Sequence, residues 1–240
     1  MKAYALTDIG KVRSVNEDSF YLPKSGEEFI AVADGMGGHL AGEVASKLAI
    51  AVLKKILRKA KKPSMDAFQG AFEEANRAIY EHSRADRKTR GMGTTLTAVW
   101  FDEKTAHLSH VGDSRAYLMR NGALIQLSTD HTLVNELVAR GEITATEARI
   151  HPQRNLITRA LGTAKRVVVD SLCLDRQPGD VWLLCSDGLS NYLLSADLIE
   201  VLQSEKPGQE MLREMIDLAL ERGGADNITA VLAVDEEAAL

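Results

Sequence analysis

Apolar positions along the chain follow two rhythms, and the order in which those rhythms alternate predicts layers. Near the N-terminus, residues 3–7, 19–22 and 29–33 read as strands. The third is a continuous apolar run, Phe29-Ile-Ala-Val-Ala33, the pattern of a strand buried on both faces. From Gly42 onward the spacing becomes three and four residues. Val44, Ala45, Leu48, Ala49, Val52, Leu53, Ile56 and Leu57 form one helical stripe, which Pro63 stops. Phe68, Ala71, Phe72, Ala75 and Ile79 form a second, ending near Arg84.

Strand patterning returns at 96–101, 105–111, 115–120 and 123–127. The connections between these runs are too short for parallel crossovers, so the four are expected to pair antiparallel in succession. Asn121-Gly122 is the preferred dipeptide of a type I′ hairpin. Residues 132–164 are polar, with short helical pieces at 133–140 and 144–149, and read as a mobile surface insert. Apolar strands resume at 167–172 and 181–185, helices follow at 195–203 and 209–222, and a strand at 228–234 ends the pattern. Two amphipathic helix pairs, with more strands than one sheet comfortably holds, predict an α+β architecture of two face-to-face sheets with helices outside.

Composition narrows the class. Hydrophobic residues make up 45% and charged residues 26%, so the 240 residues can build a substantial core, and no stretch reads as a linker. One domain over 1–240 is expected. The formal net charge of −5 argues against a nucleic-acid partner, which needs a basic surface. The basic cluster at 54–62 reads as the solvated end of a helix. Cys173 and Cys185 lie in or beside apolar runs with no CxxC partner, so both are expected to be buried reduced thiols. There is no export signal, and no apolar run reaches the ~18 residues that span a bilayer. A soluble, cytoplasmic monomer without a membrane partner is expected.

The candidate chemistry lies in the aspartates. Asp34-Gly35 follows the run 29–33, and Asp187-Gly188 follows 181–186. Asp113 ends 108–112, Asp226-Asn227 opens the last strand, and Asp18 precedes 19–22. Any one Asp-Gly could be a plain turn. Five carboxylates abutting apolar strands are harder to assign to turns, and Asp34-Gly35 leads into a glycine-rich Met36-Gly37-Gly38 rather than a hairpin. If several converge, they need cations or large pKa shifts, since two anions ~4 Å apart repel by about 4 kcal/mol at an effective dielectric near 20. An all-oxygen ligand set favours Mg²⁺ or Mn²⁺ over zinc. Arg13, five residues before Asp18, offers a fork suited to phosphate oxygens. Neither cysteine begins a Cys-x₅-Arg phosphatase loop, because Gly179 and Asn191 occupy the arginine positions. No Walker-type GxxxxGK[ST] loop is present.

Eight segments in order resemble the successive motifs of the protein phosphatase 2C-like family in its compact bacterial form. They are RSVNED (13–18), VADGMGGH (32–39), GMGTT (91–95), VGDSR (111–115), TDH (129–131), NLITRALG (155–162), CSDGL (185–189) and GADNIT (224–229). The resemblance runs from about residue 3 to 234. It implies a four-layer α/β/β/α sandwich, two antiparallel sheets flanked by helix pairs. It further implies a metal-dependent serine/threonine protein phosphatase with two or three Mn²⁺ or Mg²⁺, attack by a metal-held water and no covalent intermediate. In that pattern Asp34 bridges two metals and the Gly35 carbonyl binds one. Asp187 and Asp226 ligate one metal, Asp18 holds coordinated waters, and Asp113 serves a third metal site. Arg13 takes the substrate phosphate, and residues 135–165 match the flap beside the cleft. Met36 stands where some relatives carry a histidine, and His39 either contacts substrate or begins the helix. Glu17 either supports the ligands or faces solvent. The implied partners are phosphorylated proteins, Ser/Thr kinases and phosphorylated regulators among them. Two rivals remain open: a silent phosphoprotein-binding module, and a metal-dependent diesterase or nuclease.

Overall fold

The computed structural model describes residues 1–23, 28–37, 40–60 and 62–235. The chain begins with three strands, β1 (Lys2–Asp8), β2 (Asp18–Tyr21) and β3 (Phe29–Met36). Two helices follow, α1 (Leu40–Leu57) and α2 (Met65–Ala85). Then come β4 (Gly93–Thr94), β5 (Leu96–Phe101), β6 (Thr105–Val111), β7 (Arg115–Arg120) and β8 (Ala123–Gln126). The insert carries α3 (Leu133–Ala139) and α4 (Ala145–Ile150). The chain continues through β9 (Asp170–Asp175), β10 (Val181–Cys185), the one-turn α5 (Asp187–Ser190), α6 (Ser195–Leu202), α7 (Gly208–Glu221) and β11 (Ile228–Val234).

The strands form two antiparallel sheets. One runs β1-β11-β10-β7-β8; the other runs β2-β3-β5-β6-β9, with β4 added against β3. Side chains alternate across each strand and sort into three apolar layers. On β3, Phe29, Ala31 and Ala33 face α1 and α2, whereas Ile30 and Val32 face the other sheet. On β10, Leu183 and Cys185 face α6 and α7, whereas Trp182 and Leu184 enter the layer between sheets. There the Trp182 ring meets Phe101 edge-on at 5.5 Å. This double burial is why the strands read as unbroken apolar runs. The architecture is the α/β/β/α sandwich of two antiparallel sheets with helices on both outer faces. Each fully buried large side chain contributes about 1.5–3 kcal/mol, and the helix stripes are positioned to supply many. Phe68, Phe72 and Ile79 of α2 are all fully buried. Ser64 caps that helix by accepting the Ala67 N–H at 3.3 Å.

Several sequence expectations need correction. β6 and β7 do not pair: the chain leaves one sheet after Val111 and enters the other at Arg115. Gly112 makes this passage possible, with φ +115 and a position where a Cβ would lie 2.5 Å from the Thr95 side chain. β3 continues through Asp34 and Gly35 to Met36, and β2 starts at Asp18, so neither aspartate lies outside its strand. β9 falls three residues later than expected, because Val167 and Val169 pack on the core beside α1 and α2 and pairing with β6 starts at Asp170. Cys185 is buried, but Cys173 is exposed, because β9 is an edge strand. The hairpin expectation holds, with Asn121 at φ 51 and Gly122 at φ 79.

Candidate metal centre

Strand register creates the centre. Asp18 and Asp34 are direct partners across the β2/β3 ladder. Like charges placed opposite each other in a sheet are destabilising, so this pairing disfavours the fold unless something else occupies the site. Asp34 is held by its backbone: its N–H donates to Thr95 Oγ1 at 2.8 Å, and its carbonyl accepts from Thr94 Oγ1 at 2.8 Å. Gly35 N–H donates to the Glu17 carbonyl at 3.2 Å. A Cβ on Gly35 would collide with the Gly42 carbonyl and lie 2.6 Å from that of Glu17, so the close approach of β3 to α1 demands glycine.

The opposite sheet supplies the facing carboxylates. Asp187 opens α5 directly after β10, and Asp226 sits just before β11. Asp113 lies in the passage between β6 and β7. Asp34 senses the other four. Burial raises the Asp34 carboxyl well above its ordinary range, and repulsion from Asp18, Asp187, Asp113 and Asp226 adds to the effect. Burial pushes Asp18 up to about 7, although hydrogen bonds from Thr229 and Ser186 oppose the rise. Burial also lifts Asp187 to about 6, with repulsion from Asp226 and partial relief from the Asn191 amide, which donates to Asp187 Oδ2 at 3.1 Å. Asp113 is raised by burial and by Asp187 and Asp130. Sequence-distant aspartates thus converge where the two sheets meet.

Four oxygens test whether cations fit. Oδ1 of Asp18, Asp113 and Asp187, and Oε1 of Glu17, are buried with no hydrogen-bond partner among the described residues. A buried acceptor without a donor costs about 1–3 kcal/mol, and these belong to carboxyl groups already repelling one another. Among the described residues, no three His, Cys, Asp or Glu side chains enclose an ion by themselves. A hard cation that keeps several waters and takes only one or two carboxylates needs no such cage. The donor set therefore fits Mg²⁺ or Mn²⁺.

The remaining expected residues divide. Arg13 is 50% exposed and donates from Nη2 to Asp226 Oδ2 at 2.8 Å, which places its guanidinium at the mouth of the cleft. Glu17 is partly buried, and burial raises its carboxyl, so it does not simply face solvent. His39 lies outside the described residues.

Some supporting residues are not singled out by the sequence. Asn227 is 5% exposed and ties three segments together. Its Nδ2 donates to the Ile9 and Val15 carbonyls at 2.9 and 3.0 Å, and its Oδ1 accepts the Glu17 N–H at 2.8 Å. Ser186 donates to Asp18 Oδ2 at 2.8 Å while its Oγ accepts the Thr229 N–H at 2.9 Å. Only adjacency to Asp226 and Asp187 could have pointed to them. His110 and His131 stack at 4.8 Å, and His131 Nδ1 accepts the Gly112 N–H at 2.9 Å, steadying the passage that carries Asp113.

Comparison with known proteins identifies the family. The protein phosphatase 2C family matches residues 11–233. The serine/threonine protein phosphatase PstP of Mycobacterium tuberculosis is 44% identical over 232 residues, covering 95% of this chain; the chain spans 44% of the length of that relative. The serine/threonine phosphatase stp of Listeria monocytogenes is 38% identical over 239 residues, with 97% of this chain and 95% of that protein covered. The PstP catalytic domain, solved in complex with 2 manganese ions, superposes with a TM-score of 0.89 at 40% identity, covering 98% of each chain. Sheet order, converging carboxylates and a match over nearly the whole length lead to one assignment: this chain belongs to the protein phosphatase 2C family.

Proposed function

We propose that this chain is a metal-dependent serine/threonine protein phosphatase that hydrolyses phosphoserine and phosphothreonine. One observation carries the reading. The direct opposition of Asp18 and Asp34, joined by Asp187, Asp226 and Asp113, makes a buried anionic cluster with orphaned oxygens. Two or three Mn²⁺ or Mg²⁺ would be held by Asp34, Asp187, Asp226 and the Gly35 carbonyl, with Asp18 and Asp113 alongside. When bound, such ions lower the pKa of water and neutralise charge on a phosphoryl group.

The protein's own groups do the rest. Arg13, at the cleft mouth, orients the phosphate through its planar fork. Asn227 and Ser186 keep the loop before β2 and the Asp18 carboxylate in place. A thiol intermediate at Cys185 is disfavoured, since burial pushes that thiol up to about 12. Residues 1–240 act as one catalytic domain, and the insert at about 135–165 acts as a flap beside the cleft. The substrates are phosphorylated proteins, with Ser/Thr kinases and phosphorylated regulators as candidates, acted on by a cytoplasmic monomer. The net charge of −5 disfavours nucleic-acid substrates, and among the described residues no helix is long and apolar enough to cross a membrane.

The test is phosphate release from a phosphothreonine peptide. Chelation abolishes it, and added Mn²⁺ restores it. Asp34→Ala lowers kcat on the order of a hundredfold or more at saturating Mn²⁺. Wild-type turnover by that variant would overturn the reading.

A further inference from the structure

Asp113 is buried, and its Oδ1 has no hydrogen-bond partner among the described residues, yet the chain on either side of it is tied down. Before it, Gly112 is gripped twice by one residue. The Gly112 N–H donates to His131 Nδ1 at 2.9 Å, and the Gly112 carbonyl accepts the His131 N–H at 2.8 Å. After it, Ser114 Oγ and Thr95 Oγ1 share a hydrogen bond at 2.7 Å. Arg115 then donates to Asp130, from Nη2 at 2.7 Å and from Nε at 3.0 Å. Asp130 and His131 thus hold both ends of the passage 112–115. Gly112 needs such a grip, because its φ of +115 is one of many conformations open to a glycine.

The bonding pattern also fixes the state of the His131 ring. Nδ1 accepts an amide proton, so it carries none of its own. Nε2 therefore holds the ring proton and donates it to Asp170 Oδ2 at 3.0 Å. Arg159 Nη1 stands 2.9 Å from that nitrogen and donates instead to Asp170 Oδ1 at 2.6 Å. One face of the ring stacks on His110 at 4.8 Å. His110 is itself pinned, through Nδ1 to Thr97 Oγ1 at 2.8 Å and through Nε2 to the Thr129 carbonyl at 3.2 Å. A buried ring with both nitrogens and a face committed has one orientation. A side chain that only filled space would need neither this tautomer nor the double contact with Gly112.

We propose that His131 is a positioning residue for the metal-binding carboxylate of Asp113, acting by clamping both backbone groups of Gly112. This rests on the reading of Asp113 as a metal ligand given above. His131 touches neither the ion nor the substrate. Its effect falls on the affinity of the one site that Asp113 serves, because the carboxylate binds in full only when the chain that carries it is already in place.

The experiment titrates Mn²⁺ calorimetrically into the chelator-treated full chain and follows hydrogen exchange at the Gly112 amide. Asparagine at position 131 can place its Oδ1 where Nδ1 stands, whereas glutamine reaches toward Asp170 and leaves Gly112 without its acceptor. Asp113→Ala is expected to remove the weakest Mn²⁺ binding event. His131→Gln weakens that same event by about tenfold, leaves the tighter events unchanged and speeds exchange at Gly112. His131→Asn keeps both close to wild type. In an Asp113→Ala background His131→Gln changes Mn²⁺ binding no further, since the two residues act through one group. In the wild type, filling the weak event slows exchange at Gly112, and Asp113→Ala abolishes that slowing. The proposal is overturned if Asp113→Ala alters no Mn²⁺ event, if His131→Gln spares every event or weakens all alike, if asparagine does no better than glutamine, or if the glutamine effect persists without Asp113. Gly112 exchange indifferent to Mn²⁺ in the wild type overturns it even where no variant at position 131 folds. Absence of phosphopeptide turnover by the Mn²⁺-loaded wild type would instead overturn the phosphatase reading.

Discussion

Replacing Asp18 with asparagine should stabilise the metal-free protein while weakening its response to metal. Asp18 is buried, stands opposite Asp34, and has its carboxyl raised from 3.8 to about 7. At 1.36 kcal/mol per pH unit, that difference corresponds to about 4 kcal/mol against folding when the group is ionised. The sign follows from which state holds the proton. Below pH ~4 the group is protonated in folded and unfolded chains alike and costs little. As pH rises the unfolded carboxyl ionises first, and folding stability falls until the folded group also ionises near 7. Asparagine removes this pH-dependent cost, its Oδ1 can still accept from Ser186, and its amide N–H can donate toward Asp34. Neighbouring aspartates share the repulsion, so the expected gain at pH 8 is about 1–4 kcal/mol, a Tm increase of about 2–15 °C for a chain of this size. At pH 4 it shrinks below about 1 kcal/mol.

The assay is thermal and urea unfolding of chelator-treated wild type and Asp18→Asn at pH 4 and pH 8, repeated at pH 8 with Mn²⁺. A ligand at a hundred times its Kd stabilises by about 2.7 kcal/mol, so the variant's advantage shrinks: wild type gains more from Mn²⁺ than the variant. A variant less stable than wild type at pH 8 in chelator would refute the reasoning, because Asp18 would then be a net stabiliser through its hydrogen bonds. So would an equal stability difference at both pH values.

Two further outcomes follow from the site. Arg13→Ala should lower kcat/KM for a phosphopeptide by about 10- to 100-fold, the worth of a charge-assisted hydrogen bond, while calorimetric Mn²⁺ affinity and Tm stay close to wild type because its ion pair with Asp226 is half exposed; equal losses in metal affinity would show that the residue holds Asp226 instead. Asn227→Ala strips partners from the Ile9 and Val15 carbonyls and the Glu17 N–H, so it should destabilise by about 2–4 kcal/mol and speed hydrogen exchange at the Glu17 amide, whereas an unchanged Tm and exchange rate would remove Asn227 from the scaffold.

Local chemistry was readable from the sequence, and long-range geometry was not. The stripes of α1 and α2 follow from spacing alone, because a buried helical face imposes its period wherever it packs. The Asn121-Gly122 turn was equally legible, since positive φ at two consecutive positions selects few residues. Register was hidden. Nothing in the local pattern around Asp18 or Asp34 says that they stand opposite each other, because pairing depends on where two separate strands meet. The passage at Gly112 was misread for a related reason. A three-residue link permits a hairpin or a change of sheet, and the choice rests on packing against Thr95 and His131. Cys173 was misjudged because its neighbours are apolar in sequence while its strand lies at an edge in space. Asn227 and Ser186 escaped notice because their roles consist of hydrogen bonds to residues as many as 218 positions away.

The two sheets explain why the site lies where it does. Asp18 and Asp34 belong to one sheet, while Asp187 and Asp226 flank strands of the other. Repulsion across that boundary acts to part the sheets at the cleft end, by about 4 kcal/mol for a pair ~4 Å apart at an effective dielectric near 20. What resists is the apolar layer between the sheets, where Trp182, Phe101, Val32 and Val231 are fully or almost fully buried. The hydrogen bonds of Asn227 and Ser186 act in the same direction, since both join segments that lead to β2 with segments that lead to β11. A weaker inter-sheet core could not hold so many like charges together. A single-sheet fold could not bring them from both sides of one cleft. The acidic cluster is therefore a strain that the sandwich tolerates, and bound divalent cations would relieve it by neutralising that charge.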